Sequence, residues 1–84
     1  MIDEELNRLR GRLDELRIRL VPELENKTQN LYSKALQLPK GSPERANVES
    51  EYNRESNELT RRADEIIKVR QQIENLELEK SQRR

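Results

Sequence analysis

Apolar residues in the first half of the chain recur at alternating steps of four and three. Ile2, Leu6, Leu9, Leu13, Leu16 and Leu20 form a strict heptad stripe, the pattern of one helix face laid along a partner helix. From Leu20 the stripe steps by four again to Leu24, a stutter that shifts a supercoil locally. Thr28 occupies the next position, and Leu31, Ala35 and Leu38 complete the arm. Pro22 coincides with the stutter. A proline inside a helix removes one hydrogen bond and clashes with the carbonyl four residues back, at a cost of about 3 kcal/mol. Either the arm kinks near Ile18 to Pro22, or Pro22 starts a second helix. The unbroken stripe favours the kink.

The second half repeats the pattern with Val48, Tyr52, Leu59, Ala63, Ile66, Val69, Ile73 and Leu76. Between Tyr52 and Leu59 the stripe is polar, at Glu55 and Ser56. After Leu76 the next position is Lys80, and Ser81 to Arg84 are expected to fray. Between the arms stand Leu38-Pro39-Lys40-Gly41-Ser42-Pro43. Pro39 cannot continue a helix, and Gly41 can take the positive φ of a helix exit. Ser42 is a good N-cap, Pro43 suits the first helical position, and Glu44 complements the positive helix end. So short a connection forces the arms antiparallel.

Folded at that turn with i + j near 82, the stripes match layer by layer. Leu6 meets Leu76, Leu9 meets Ile73, Leu13 meets Val69 and Leu16 meets Ile66. Leu20 faces Ala63, Leu24 faces Leu59, Leu31 faces Tyr52 and Ala35 faces Val48. The polar Thr28 faces the polar Glu55 and Ser56. The fold class is therefore all-α. The chain, residues 1–84, reads as one antiparallel two-helix hairpin of coiled-coil type, with arms at about 2–38 and 43–80 and a turn at 39–42. At 1.5 Å per residue it is roughly 55 Å long.

Composition changes this picture in one respect. With 40% charged and 31% hydrophobic residues, no Phe and no Trp, a hairpin of 84 residues buries a small core, so association into a larger helical bundle is expected. Net charge is zero, with 8 basic and 7 acidic residues in 1–41 and 9 and 10 in 42–84. Neither arm is a polycation that gathers nucleic acid or anionic lipid unaided. There is no cysteine and no apolar run approaches membrane length, and the charges of Asp3, Glu4 and Glu5 lead to the expectation of no signal peptide. A cytoplasmic protein is expected, with no membrane partner.

Chemistry-bearing residues are sparse. Without His or Cys, and without a pocket to perturb its carboxylates, the chain is not expected to be an enzyme, to use a cofactor or metal, or to take a small-molecule substrate. Lys40-Gly41-Ser42 lacks the GxxxxGK[ST] spacing of a phosphate loop. Three features remain. Apolar residues off the seam, Ile18, Val21, Ile67 and Leu78, make an outer face for a partner, with Ile18 and Ile67 at one level on opposite arms. The polar mid-hairpin layer of Asn26, Thr28, Asn30, Asn53, Ser56 and Asn57 sets register or leaves a hydrated patch for a partner helix. Arginines crowd both arms at similar height, and Arg12, Arg19, Arg61, Arg62 and Arg70 form a candidate face for nucleic-acid phosphates. Asp14, Glu15, Asp64 and Glu65 interleave with them, which favours a salt-bridged surface. The leading expectation is a structural, assembly or adaptor protein working through helix–helix contacts, with itself as a homo-oligomer or with a larger protein. The alternative is a small nucleic-acid-binding regulator. No motif identifies a family.

Overall fold

The structure, a computed structural model, describes residues 1–82. The first arm comprises α1 (Ile2–Asp14), a π-helical turn (Glu15–Leu20) and α2 (Val21–Gln37), and the second is α3 (Pro43–Gln82). The arms pack side by side into a rod of 65 × 15 × 14 Å. It is longer than expected because α3 has 40 residues and includes Ser81 and Gln82. Those two residues are helical, not frayed. Lys80 Nζ donates to the Asp3 carboxylate at 2.5 Å and ties the open end. Arg83 and Arg84, the remainder of the expected frayed end, lie outside the described residues.

The hairpin expected from the stripes is the fold observed. Leu6, Leu9, Leu16, Val69 and Ile73 form one buried cluster, flanked by Ile2, Leu13, Leu20, Ile66 and Leu76. Ala35 and Val48 are buried nearer the turn. Most of the core therefore lies in the half farthest from the covalent link between the arms.

Pro22 is accommodated in a way that neither expectation described. The arm does not stop, and its helix widens. Val21 N–H donates to the carbonyl of Leu16, five residues back, and the backbone stays right-handed helical at Asp14, Glu15, Leu20 and Val21. A π turn is an α-helix with one residue inserted. Two consequences follow. The carbonyls ahead of Pro22 no longer sit where its ring would strike them. The inserted residue also absorbs the stutter, since Leu16 to Leu24 spans eight residues instead of seven. Seam positions upstream of the π turn, such as Leu9 with Ile73, obey i + j = 82. Downstream, as for Ala35 with Val48, the relation is 83.

At the turn, Leu38 is extended (φ −97°, ψ 147°), as the following proline requires. Ser42 N–H donates to the Pro39 carbonyl at 3.2 Å, and Gly41 takes φ +80°, the value demanded at the third position of a type II turn. Ser42 Oγ accepts from Arg45 N–H at 3.1 Å, capping α3. The Arg45 guanidinium reaches back and donates to the Leu38 carbonyl at 3.1 Å. It thereby satisfies an acceptor at the end of the first arm. Ser42→Ala is expected to lower stability by about 1 kcal/mol, and Gly41→Ala by about 1–2 kcal/mol. Urea unfolding followed by circular dichroism measures both, with the exposed Lys40→Ala as an unchanged reference.

Candidate interaction surfaces

The seam holds two polar layers. Thr28 is buried and its hydroxyl donates to the Glu25 carbonyl at 3.0 Å. Glu55, expected opposite Thr28, is largely covered and pairs with Lys27 across the arms at 3.1 Å. Of the other residues placed in this layer, Ser56 is half-buried and Asn26, Asn30, Asn53 and Asn57 are exposed. The second polar layer corrects the expected pairing of Leu20. Ala63 is exposed, and its neighbour Arg62 is half-buried. α3 keeps strict steps of four and three through positions 48, 52, 55, 59, 62, 66, 69, 73 and 76, so the seam position falls on Arg62. Its aliphatic stem can lie along the seam while its charge is met at the edge.

That charge belongs to a chain of seven side chains along one edge of the hairpin. Arg61 pairs with Glu58 at 3.5 Å, and Glu58 with Arg62 at 2.9 Å. Arg62 pairs with Glu65 at 3.2 Å, and Glu65 takes two hydrogen bonds from Arg12 at 2.7 and 3.0 Å. Arg12 also pairs with Glu15 at 2.6 Å, and Glu15 with Arg19 at 3.5 Å. The fork-on-carboxylate geometry of Arg12 and Glu65 is the one link that crosses the arms here. Of the five arginines proposed for nucleic acid, Arg12, Arg19, Arg61 and Arg62 are thus each held by a glutamate. Arg70 carries no ion pair among the described residues.

The Arg12 hydrogen bond, helped by the charges of Arg12 and Arg62, holds the Glu65 carboxyl below the usual carboxylate range against a smaller desolvation effect. A hydrogen bond from Lys80 does the same for Asp3. A depressed folded-state value means that the stabilisation is present above the ordinary value and is lost as pH falls through the folded one. The thermal midpoint is expected to be flat near neutrality and to drop as pH falls from about 5 to about 3. Glu65→Gln should flatten that drop, and added salt should shrink the part due to exposed pairs.

On the outer surfaces, Ile18, Ile67 and Leu78 are exposed at 75%, 64% and 56%. Val21 is half-buried and does not belong with them. It follows the π turn directly and sits beside the seam residue Leu20, where the inserted residue brings it inward. Besides Met1, two exposed apolar residues fall outside the sequence expectation, Tyr32 and Leu36. Tyr32 lies against Tyr52 with ring centroids 6.0 Å apart and planes tilted by 47°. Beside them runs a groove of about 200 Å³ reached by Leu36 from one arm and by Arg45, Glu49 and Asn53 from the other. Their spacing, one helical turn apart and off the seam, was the available signal.

Among the described residues no cluster of His, Cys, Asp or Glu is arranged to hold a metal ion, and no helix is long and apolar enough to cross a membrane. The chain matches no known family, no curated protein and no solved structure.

Proposed function

We propose that the protein is a non-enzymatic structural, assembly or adaptor protein that acts through helix–helix contacts with other protein surfaces. The observation that carries this reading is the placement of its apolar side chains. The seam is already filled by its own stripes, yet Ile18, Tyr32, Leu36, Ile67 and Leu78 remain more than half exposed outside it. A rod with so small a core gains stability by covering them, at about 25 cal/mol per Å² of apolar surface removed from water. The test compares the wild-type chain with the double variant Ile18→Glu plus Ile67→Glu. Affinity capture from the native host and sedimentation equilibrium are run on both. Loss of a captured protein or of self-association in the variant, with helicity retained, supports the reading. A folded monomer whose captured proteins are the same in both overturns it.

A further inference from the structure

Beyond the seam the hairpin carries a second matched pair of stripes. Residues 18, 22, 25, 29, 32 and 36 recur at steps of four, three, four, three and four, and residues 49, 53, 56, 60, 63 and 67 recur at the same steps. Every facing pair, from Ile18 with Ile67 to Leu36 with Glu49, obeys i + j = 85. The two stripes therefore run in step along one side of the rod, and the groove beside Tyr32 is lined from both of them. This side differs from the edge that holds the ionic chain. Only Glu25 and Glu49 are charged among its twelve positions, in a protein that is 40% charged. Of the six large apolar residues exposed among the described residues, four lie on it: Ile18, Tyr32, Leu36 and Ile67. Leu78 does not.

We infer that this side receives a second copy of the same chain, giving an antiparallel four-helix bundle with the two turns at opposite ends. The inference rests on the helix–helix reading above and names its partner and its surface. The approach of Glu49 to Arg70 favours one orientation. Turns at opposite ends, with the contact centred near residues 27 and 58, set Glu25 against Gln29 of the second copy, an amide donor, and one helical turn from its Glu25. Glu49, which pairs with Arg45 of its own chain at 3.4 Å, then lies near Ile67 and one turn from Arg70 of the second copy, a cation with no ion pair among the described residues. The same register sets the bulky Tyr32 against the level of Pro22, and Leu36 against Ile18. The overlap is about 31 residues per arm, or about 46 Å, across a rod 15 Å wide. That is on the order of 700 Å² per copy, within the range of stable specific interfaces.

The chain has no cysteine, so introduced thiols report contacts directly. Asn53 and Ala63 are ten residues apart on one helix, about 15 Å, too far for a disulfide within the chain. In the proposed register Asn53 of one copy faces Ala63 of the other. Asn53→Cys plus Ala63→Cys is expected to give a covalent dimer under mild oxidation, and neither single variant should. In sedimentation equilibrium the wild type is expected to be a dimer. Ala63→Glu should raise the dissociation constant at least tenfold with unchanged helical signal, whereas Leu78→Glu should leave it unchanged. A monomer at all concentrations, cross-linking by the single variants, or dissociation by Leu78→Glu and not by Ala63→Glu would each overturn the inference. None of these results touches capture of another protein through Ile18 and Ile67, so the broader reading fails or stands separately.

Discussion

Replacing Leu16 by alanine is expected to remove about 3–5 kcal/mol of stability. Leu16 has no exposed surface and sits in the buried cluster with Leu9, Val69 and Ile73. Its loss combines a transfer contribution with the cavity left behind, and Leu16 itself lies within the π turn. A domain of this size holds roughly 4–13 kcal/mol in total, so one substitution spends a large share of it. Urea unfolding monitored at 222 nm should show the midpoint falling steeply, with Leu78→Ala within about 0.5 kcal/mol of wild type as the exposed counterpart. Equal effects at the two positions would contradict the placement of the core.

The second large effect concerns the π turn, and it is conditional. Arg17 is exposed and makes no ion pair among the described residues, so deleting it removes little contact. The deletion restores seven-residue spacing between Leu16 and Leu24 and lets the turn close to an ordinary α-helix. Pro22 then lies in a helix interior, where its ring meets the carbonyl ahead of it at a cost of about 3 kcal/mol. Pro22→Ala alone should change stability by less than about 1 kcal/mol, because the eight-residue spacing still needs the inserted residue. Combining the two should return the protein to wild-type stability or above. The double-mutant cycle therefore has an expected coupling of about 2–3 kcal/mol. Simple additivity of the two changes would show that the widened turn and the proline are unrelated.

These two cases also mark where the chain is readable. The stripes, the turn residues and the layer pairing are local and periodic, so the hairpin with its polar layer at Thr28 and Glu55 is visible in the sequence. The stutter and Pro22 are visible too, but how they combine is not. One inserted residue solves both problems only because the second arm holds the first in register. Arg62 shows a different limit. Hydropathy prefers Ala63 for the seam, whereas the strict repeat of α3 puts an arginine there, and Glu58 and Glu65 make that position tolerable. The candidate surfaces divide in the same way. Exposure of Ile18, Ile67 and Leu78 follows from their distance to the seam. The inward position of Val21 follows from the π turn and has no signature of its own. The arginines are conspicuous by type, yet which of them are held by carboxylates depends on partners up to 53 residues away.

The uneven placement of the core has a consequence for a nicked chain. Lys40 stands exposed at the tip of the turn, where trypsin would cut first. The cluster around Leu9, Leu16, Val69 and Ile73 lies at the other end of the rod, and the Lys80 to Asp3 pair closes that end. A single scission at the tip would therefore remove the clasp between Arg45 and Leu38 and leave most of the adhesive surface intact. The two fragments would co-elute as a reconstituted pair that separates on dilution. The loop sets how the arms find each other, while cohesion resides where the chain begins and the second helix ends.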